Sequence, residues 1–258
     1  MLAIIITEIE KLKRYAVWKA GVIVVILSSL FSFSPVLAND GFREDFPIVM
    51  NNILESNCIY FFPAMIVLMG GFIARKEYLD DTLKNILTVP VSIRKLLLGK
   101  ILVLFFLTIF FSILSGLLGV LLCFIAGLSN FTFPLIIEWI ARIVLGNIFL
   151  FIALLPITII STFSVDAVYV CTAAGFVYGF LASFEWAPLN FYPVKAVLIL
   201  FDPQCGVGYD FVHYSKGNAL VALLIVFCIS VILFAFLRPA KKLNKVKPPK
   251  KAVRAKGW

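Results

Sequence analysis

The sequence predicts an all-α membrane protein with six transmembrane helices, and three observations support this fold class. Hydrophobic residues make up 62% of the 258 residues and charged residues only 14%, and the mean hydropathy is +1.05. A soluble protein of this size needs many more polar residues to cover its surface. The apolar residues are grouped into long runs, and almost all of the cations fall in alternate connections between those runs.

Six apolar runs are long enough to cross the hydrocarbon layer as helices, which takes about 20 residues. Helices are expected because a backbone in lipid must satisfy its own hydrogen bonds. The predicted spans lie near residues 17–38, 56–74, 97–127, 136–160, 167–186 and 217–237. The third run is long enough to begin as an interfacial helix before it enters lipid.

An amphipathic helix is predicted before the first span, with apolar side chains at helical spacing on one face and polar side chains on the other. The apolar residues are Leu2, Ile5, Ile6, Ile9 and Leu12, and the polar ones are Thr7, Glu8, Glu10, Lys11, Lys13 and Arg14. Such a helix lies flat at the membrane interface. Whether it only anchors the chain to lipid or also docks a partner stays open.

The distribution of Lys and Arg predicts the orientation. All but four of the 23 lie near the N-terminus, between spans two and three, or in the C-terminal tail; the exceptions are Arg43, Arg142, Lys195 and Lys216. Cytoplasmic connections carry the excess of cations, so both termini are predicted to be cytoplasmic. The N-terminal region also resembles a signal peptide. We expect it to be retained, because cleavage would place the basic loop and the basic tail on opposite sides of the membrane.

The connection between spans two and three carries the most specific pattern. Lys76, Asp80 and Lys84 follow one another at i,i+4 spacing, which allows opposite charges to pair along one helical face. A second face is apolar and contains Leu79, Leu83, Ile86 and Leu87. Pro90 ends this helix, and Ser92 can cap the next one. An apolar stripe on a cytoplasmic helix predicts contact with another protein.

Between spans five and six, an apolar run at residues 194–201 is too short to cross the membrane and is bracketed by prolines. It is therefore predicted to enter the outer leaflet and return. Trp186, Phe191 and Tyr192 precede it. These aromatic residues fit an ordinary interfacial belt, and they also fit a path taken by a substrate.

Glu138 and Arg142 lie four residues apart near the outer start of the fourth span. Placing a charged side chain at this depth in the membrane costs free energy. The spacing fits an internal ion pair, and it also fits contact with a cationic or phosphorylated ligand. Asp166 is expected in a cytoplasmic turn, which is a candidate for a second partner contact.

Catalytic and metal-binding signals are weak. The chain has no G-x-x-x-x-G-K-[ST] phosphate loop, a single histidine at His213, and five cysteines without C-x-x-C spacing. We therefore predict no catalytic residue, no metal site and no cofactor bound by this chain. Whether Cys58 and Cys205 form a disulfide stays open. The basic tail lacks interleaved aromatic residues, so anionic lipid is a better partner for it than nucleic acid.

Residues 77–95, EYLDDTLKNILTVPVSIRK, resemble the segment between the second and third spans of type-two ABC exporter permeases. The pattern there runs approximately E-[aromatic]-x-x-G-T-L-[KE]-x-[LI]-L-x-x-P-V-S. Asp81 stands where the family usually has Gly. The size, span number and amphipathic start of the chain agree with the same family.

The resemblance implies a transmembrane domain at residues 1–238 followed by a basic cytoplasmic tail at residues 239–258. It implies that the segment is a coupling helix that docks on a separate cytoplasmic ABC ATPase, which binds ATP and Mg²⁺, and that the run between spans five and six is re-entrant. The implied coupling residues are Lys76, Glu77, Tyr78, Asp81, Thr82, Leu83, Ile86 and Leu87. A second copy or a sister permease is the other implied partner, in a bacterial plasma membrane.

The short length of the chain and the residue pattern of the coupling segment are most similar to those of permeases of bacitracin and lantibiotic self-protection transporters. This similarity implies export of a membrane-active peptide antibiotic, for resistance or self-immunity, with no enzymatic activity in this chain. The candidate substrate path contains Glu138, Arg142, Trp186, Phe191 and Tyr192. The alternatives are an ABC permease for a lipid or an ion, an intramembrane enzyme acting on lipid-linked phosphates, and a membrane scaffold without transport.

Overall fold

A computed structural model describes residues 7–10, 17–37, 45–79, 93–129, 131–163, 167–207 and 213–237, with the side chains of residues 76–79 and 93 left undescribed. The structure is 88% helical and contains no strands in these ranges. The all-α fold class is therefore confirmed. Most of the predicted amphipathic start, most of the coupling segment, Asp166 and the basic tail lie outside the described residues.

Eight α-helices follow one another along the described chain. They are α1 (Val17–Leu37), α2 (Phe46–Ser56), α3 (Phe62–Leu79), α4 (Ile93–Ile125), α5 (Phe133–Phe163), α6 (Val168–Phe180), α7 (Pro193–Phe201) and α8 (Lys216–Phe236). A π-helical segment, Asn57–Phe61, joins α2 to α3, and two 3₁₀ turns, Leu181–Ser183 and Ala187–Phe191, lie between α6 and α7. Residues 7–10 are also helical.

Five described helices are long and apolar enough to cross a membrane, which makes the chain a multi-pass membrane protein. They are Val17–Leu37, Phe46–Arg75, Arg94–Ile125, Phe133–Phe163 and Lys216–Phe236. The predicted fifth span corresponds to a shorter apolar helix, Val168–Ser183. A helix of this length is slightly shorter than the hydrocarbon layer requires, so the count of six spans stays a prediction.

The helix that contains the predicted second span begins at Phe46, before the predicted start of that span at residue 56. Asn51 and Glu55 lower the hydropathy of its first ten residues. Asn51 is buried against other helices and is only 2% exposed. Since its amide faces protein and not lipid, its polarity does not prevent this part of the helix from lying within the bundle.

Helix α5 is at the centre of the bundle. It packs against α2, α3, α4, α6, α7 and α8. Its interior face includes the fully buried residues Ile143, Leu150 and Leu154. A displacement of helices at either end of the bundle would therefore reach α5 through direct packing contacts.

A buried polar contact connects three segments within the apolar interior. The Ser28 hydroxyl of α1 donates to Asn57 Oδ1 at 2.6 Å, and Asn57 Nδ2 donates to the Ser115 hydroxyl of α4 at 2.9 Å. All three residues are fully buried. Because an unsatisfied amide in this environment is costly, the contact fixes how α1, the π-helical segment and α4 meet.

Helix α6 packs closely on α3 and on the π-helical segment before it through two glycines one turn apart. A Cβ atom at Gly179 would lie 2.5 Å from the Ile59 carbonyl oxygen, and one at Gly175 would lie 2.9 Å from the Val67 side chain. Small residues at i,i+4 spacing let transmembrane helices approach closely. Because the atom nearest to Gly179 belongs to the backbone, the contact cannot relax by rotation of a side chain.

Helix α7 is the structural counterpart of the predicted re-entrant run. Its nine residues span about 14 Å as a helix, less than half of the roughly 30 Å hydrocarbon layer. Residues 194–199 are nevertheless all buried, and the helix packs between α5 and α8. A segment that is too short to cross the membrane is tolerated at this depth when protein surrounds it.

We predict that Gly179→Ala destabilises the detergent-purified protein by about 1–3 kcal/mol, because the added methyl group overlaps the Ile59 carbonyl group. Thermal unfolding measures the loss. Gly116→Ala is the matched control, since the nearest atom to a Cβ there is 3.4 Å away on the Ile140 side chain. Equal losses in both variants would show that close α3–α6 packing is not the cause.

Candidate functional site

The predicted coupling segment lies largely outside the described residues. Lys76, Glu77 and Tyr78 are in the last turns of α3, and the described chain resumes at Ile93. The remaining coupling residues, Asp81, Thr82, Leu83, Ile86 and Leu87, fall between these points. Their roles, and the helix predicted for them, stay predictions.

A buried ion pair lies beside the two ends of this segment. Lys100 Nζ of α4 is 2.9 Å from Glu8 Oε2 and donates to the Ile73 carbonyl oxygen of α3 at 3.3 Å. Both charged residues are 3% exposed. The contact joins the helical residues 7–10 to the last part of α3 and the first part of α4. The described residues 7–10 are thus connected to the bundle through Glu8.

In the sequence, Lys100 belongs to the cations that predict the orientation, and Glu8 lies on the polar face of the predicted N-terminal helix. Their partnership spans 92 residues, so no local spacing reveals it. The available signal was the position of Lys100 inside an apolar run, where a buried charge requires a partner.

The opposite end of the bundle, where α5 and α8 begin, is the end that the cation distribution predicts to be outside. We call it the predicted outer end. Lys195 of α7 is 2% exposed there and forms an ion pair with Glu185. Lys195 Nζ also donates to the Ala182 carbonyl oxygen at 3.2 Å. Glu185 Oε2 accepts a hydrogen bond from the Tyr214 hydroxyl at 2.6 Å. These contacts connect three parts of the chain: the segment that follows α6, helix α7, and the segment that precedes α8.

Asp202 follows α7 and is 9% exposed. Burial raises the pKa of its carboxyl group, and hydrogen bonds from the Gln204 backbone N–H and the Asn51 side chain oppose this shift. The Gln204 N–H lies 2.7 Å from Asp202 Oδ1. Burial also raises the pKa of Cys205 to about 12, so this thiol is protonated at neutral pH. Cys58 and Cys205 are both free cysteines.

A cavity of about 640 Å³ opens beside Glu185 at the predicted outer end. We call it the aromatic cavity; its lining residues are Leu181, Phe184, Glu185, Trp186, Leu189 and Tyr192. The sequence-predicted residues Trp186 and Tyr192 therefore share one site. Phe191 does not line it and is 59% exposed. The cavity offers apolar contact with one carboxylate at its edge.

Glu138 and Arg142 form the i,i+4 ion pair that their spacing predicts. Arg142 Nη2 and Nε lie 2.6 and 3.1 Å from the same oxygen, Glu138 Oε1. The Arg142 guanidinium group also lies 5.2 Å from the Trp139 ring centroid. The side chains of Arg142 and Glu138 remain 35% and 51% exposed. Contact with a substrate stays a prediction for this pair.

Arg142 also lines a second cavity, of about 340 Å³, which we call the basic cavity. Its polar lining residues are Arg142, Asp202, Cys205, Tyr214 and Lys216. Tyr214 links the two cavities, since it lines the basic cavity and donates a hydrogen bond to Glu185 of the aromatic cavity. The structure thus splits the predicted substrate path into two neighbouring sites, with Trp186 and Tyr192 in one and Arg142 in the other. Sequence reasoning missed Lys195, Tyr214 and Lys216 as site residues.

In the part of the chain that the structure describes, no group of three or more His, Cys, Asp and Glu side chains has an arrangement that could hold a metal ion. The buried contacts at both ends instead pair a lysine with a glutamate. These pairs join separate segments of the chain.

Comparison with curated proteins finds no significant match, and comparison with solved structures finds none. Residues 4–182 match the family model described as ABC-2 family transporter protein. The match covers more than half of the chain and includes both ends of the predicted coupling segment. The chain therefore belongs to the ABC-2 family of transporter proteins.

Proposed function

We propose that this chain is the permease subunit of an ATP-driven exporter that removes a membrane-active peptide antibiotic of the bacitracin or lantibiotic type. Its action would protect a bacterium against that peptide. The observation that carries the substrate assignment is the aromatic cavity beside Glu185 at the predicted outer end. Membership of the ABC-2 family supports the coarser statement, a membrane permease of an ABC transporter.

The aromatic cavity has the chemistry that an amphipathic peptide requires. Trp186 and Phe184 are 65% and 53% exposed, so their rings are available to a ligand arriving from the membrane. Rings of this kind offer large apolar contact and prefer the interfacial region. Glu185 adds a negative charge that favours a cationic side chain, although Lys195 and Tyr214 already bind it. A peptide can therefore enter the aromatic cavity sideways from the membrane, and its binding does not require a deep polar pocket.

The family implies an ABC ATPase as partner. We place its docking surface on Lys76, Glu77, Tyr78, Asp81, Thr82, Leu83, Ile86 and Leu87, with ATP and Mg²⁺ bound by the ATPase. The Lys100–Glu8 pair supports this placement, because it braces α3 and α4 where they approach the segment. A force that the ATPase applies to this segment would displace the N-terminal residues and the helix bundle together.

The proposed assembly is a pair of permeases, either two copies or sister chains, with two ATPase subunits. Each permease has six spans at residues 1–238, counting Val168–Ser183 as the fifth, and a basic tail at residues 239–258 that meets anionic lipid. Both termini lie in the cytoplasm of a bacterial cell, and α7 is the re-entrant element. The burial of α7 between α5 and α8 supports the last point.

We predict that Leu83→Asp with Leu87→Asp abolishes copurification of the cognate ATPase while membrane insertion is unchanged. Two charges would enter an apolar contact, each at a cost of several kcal/mol, so the yield of complex should fall at least about tenfold. Asn85→Asp with Thr88→Asp is the matched control, because it adds the same charge to the opposite face of the predicted helix. Full recovery of the complex from the Leu83/Leu87 variant would exclude this docking surface.

We predict that a susceptible bacterium producing the permease with its ATPase tolerates more bacitracin-type or lantibiotic-type peptide, measured as the minimal inhibitory concentration. An ATPase-inactive partner should remove this protection. Trp186→Ala should weaken peptide binding by about 10–30-fold and remove most of the tolerance. Phe191→Ala is the control, since this exposed aromatic residue lies outside the cavity lining. If no peptide in a broad panel shows ATP-dependent protection while a lipid or ion is transported, the peptide assignment is wrong.

A further inference from the structure

The basic cavity at the predicted outer end has no assigned ligand. It lies between α5, which supplies Arg142, the turn after α7, and the start of α8, which supplies Lys216. Its volume of about 340 Å³ is roughly ten times the share of one water molecule in the liquid. The space therefore suits a chemical group larger than a single small ion.

Its two cations retain free hydrogen-bonding capacity. Two nitrogens of Arg142 converge on a single oxygen of Glu138, which leaves other guanidinium donors available. Lys216 is exposed, and no ion pair connects it to another residue in the described ranges. Arginine can bind phosphate through two parallel hydrogen bonds from its planar guanidinium group, and lysine binds phosphate as a point charge.

The acid that lines the cavity is largely occupied elsewhere. Asp202 accepts hydrogen bonds from the Gln204 N–H and from the Asn51 side chain, which belongs to α2 in the interior. Burial also favours its neutral form by raising the pKa of its carboxyl group. The Tyr214 hydroxyl points its proton at Glu185 in the neighbouring cavity. The groups that remain available to a ligand are thus mainly Arg142 and Lys216.

We propose that the basic cavity binds a phosphate group between Arg142 and Lys216. Phospholipid headgroups lie at the ends of membrane-spanning helices, where this cavity opens, and a free phosphate from solution offers the same chemistry. The site is separate from the aromatic cavity, since the two cavities share no lining residue. The inference goes beyond peptide export, because neither the peptide nor the ATPase is needed for binding.

Native mass spectrometry of the detergent-purified full chain tests the proposal, with titrations of phosphatidylglycerol, of diacylglycerol with the same acyl chains, and of inorganic phosphate. We expect saturable binding of phosphatidylglycerol, inorganic phosphate or both, and none of diacylglycerol. Arg142→Gln with Lys216→Gln should weaken binding at least about tenfold. Lys19→Gln is the control, because Lys19 is an exposed cation on α1, at the opposite end.

Two further variants separate binding from folding. Lys216→Gln alone changes an exposed side chain and should still weaken binding severalfold. Glu138→Gln should strengthen binding, because Arg142 loses its competing carboxylate; a purely structural ion pair would give no such gain. Binding of phosphatidylglycerol but not inorganic phosphate would assign the site to a lipid headgroup, and competition by inorganic phosphate would assign it to phosphate itself. Wild-type affinity in the double variant, or equal binding of diacylglycerol, would overturn the proposal.

Discussion

The predicted outer end depends on the buried ammonium group of Lys195. A lysine and a glutamate that are removed from water lose several kcal/mol of solvation each, and only close pairing with further hydrogen bonds restores it. Lys195 meets this requirement through Glu185 and the Ala182 carbonyl oxygen, and Tyr214 completes the coordination of Glu185. Separating α7 from the ends of α6 and α8 would expose an unpaired charge to an apolar environment. The three segments are therefore constrained to stay together.

This constraint also explains why two cavities lie side by side. Glu185 lines the aromatic cavity and Tyr214 lines the basic cavity, so one hydrogen bond links an apolar site to a neighbouring polar one. An amphipathic ligand has both kinds of surface. The arrangement lets the apolar part of a peptide and a phosphate group occupy neighbouring sites without competing for the same side chains.

A second buried pair, Lys100 with Glu8, has the same role at the other end. It lies where α3 and α4 approach the proposed docking segment, and α5 packs against both of these helices and against α7. Helix α5 thus touches the braced helices at one end of the bundle and the short buried helix at the other. A displacement at the docking segment can reach the cavities through packed side chains, which resist deformation.

Much of the fold is predictable because lipid imposes a simple rule on the sequence. The positions of α1, α4, α5 and α8 follow from apolar length alone, and α7 follows from a run too short to cross. The start of the α2 helix at Phe46 does not follow from hydropathy, because hydropathy cannot tell a polar residue that faces protein, such as Asn51, from one that faces lipid.

The candidate site was predictable only in part. The Glu138–Arg142 pair follows from local helical spacing. The partnerships of Lys100 with Glu8 and of Tyr214 with Glu185 do not, because they join residues 92 and 29 positions apart. Trp186 and Tyr192 were recognised as aromatic candidates, but their common cavity depends on how the 3₁₀ turns after α6 are held by Lys195. Sequence patterns identify the side chains, and tertiary charge pairing determines which of them meet.

The most direct measurement is ATP-dependent release of a fluorescent lantibiotic-type peptide from proteoliposomes that contain the permease and its ATPase. We expect release with ATP and Mg²⁺ in the wild type, none with an ATPase-inactive partner, and strongly reduced release with Trp186→Ala. Retention of the peptide by the wild-type complex under turnover, with ATP-dependent movement of a lipid or an ion in the same vesicles, would contradict the assignment of this chain as a peptide exporter.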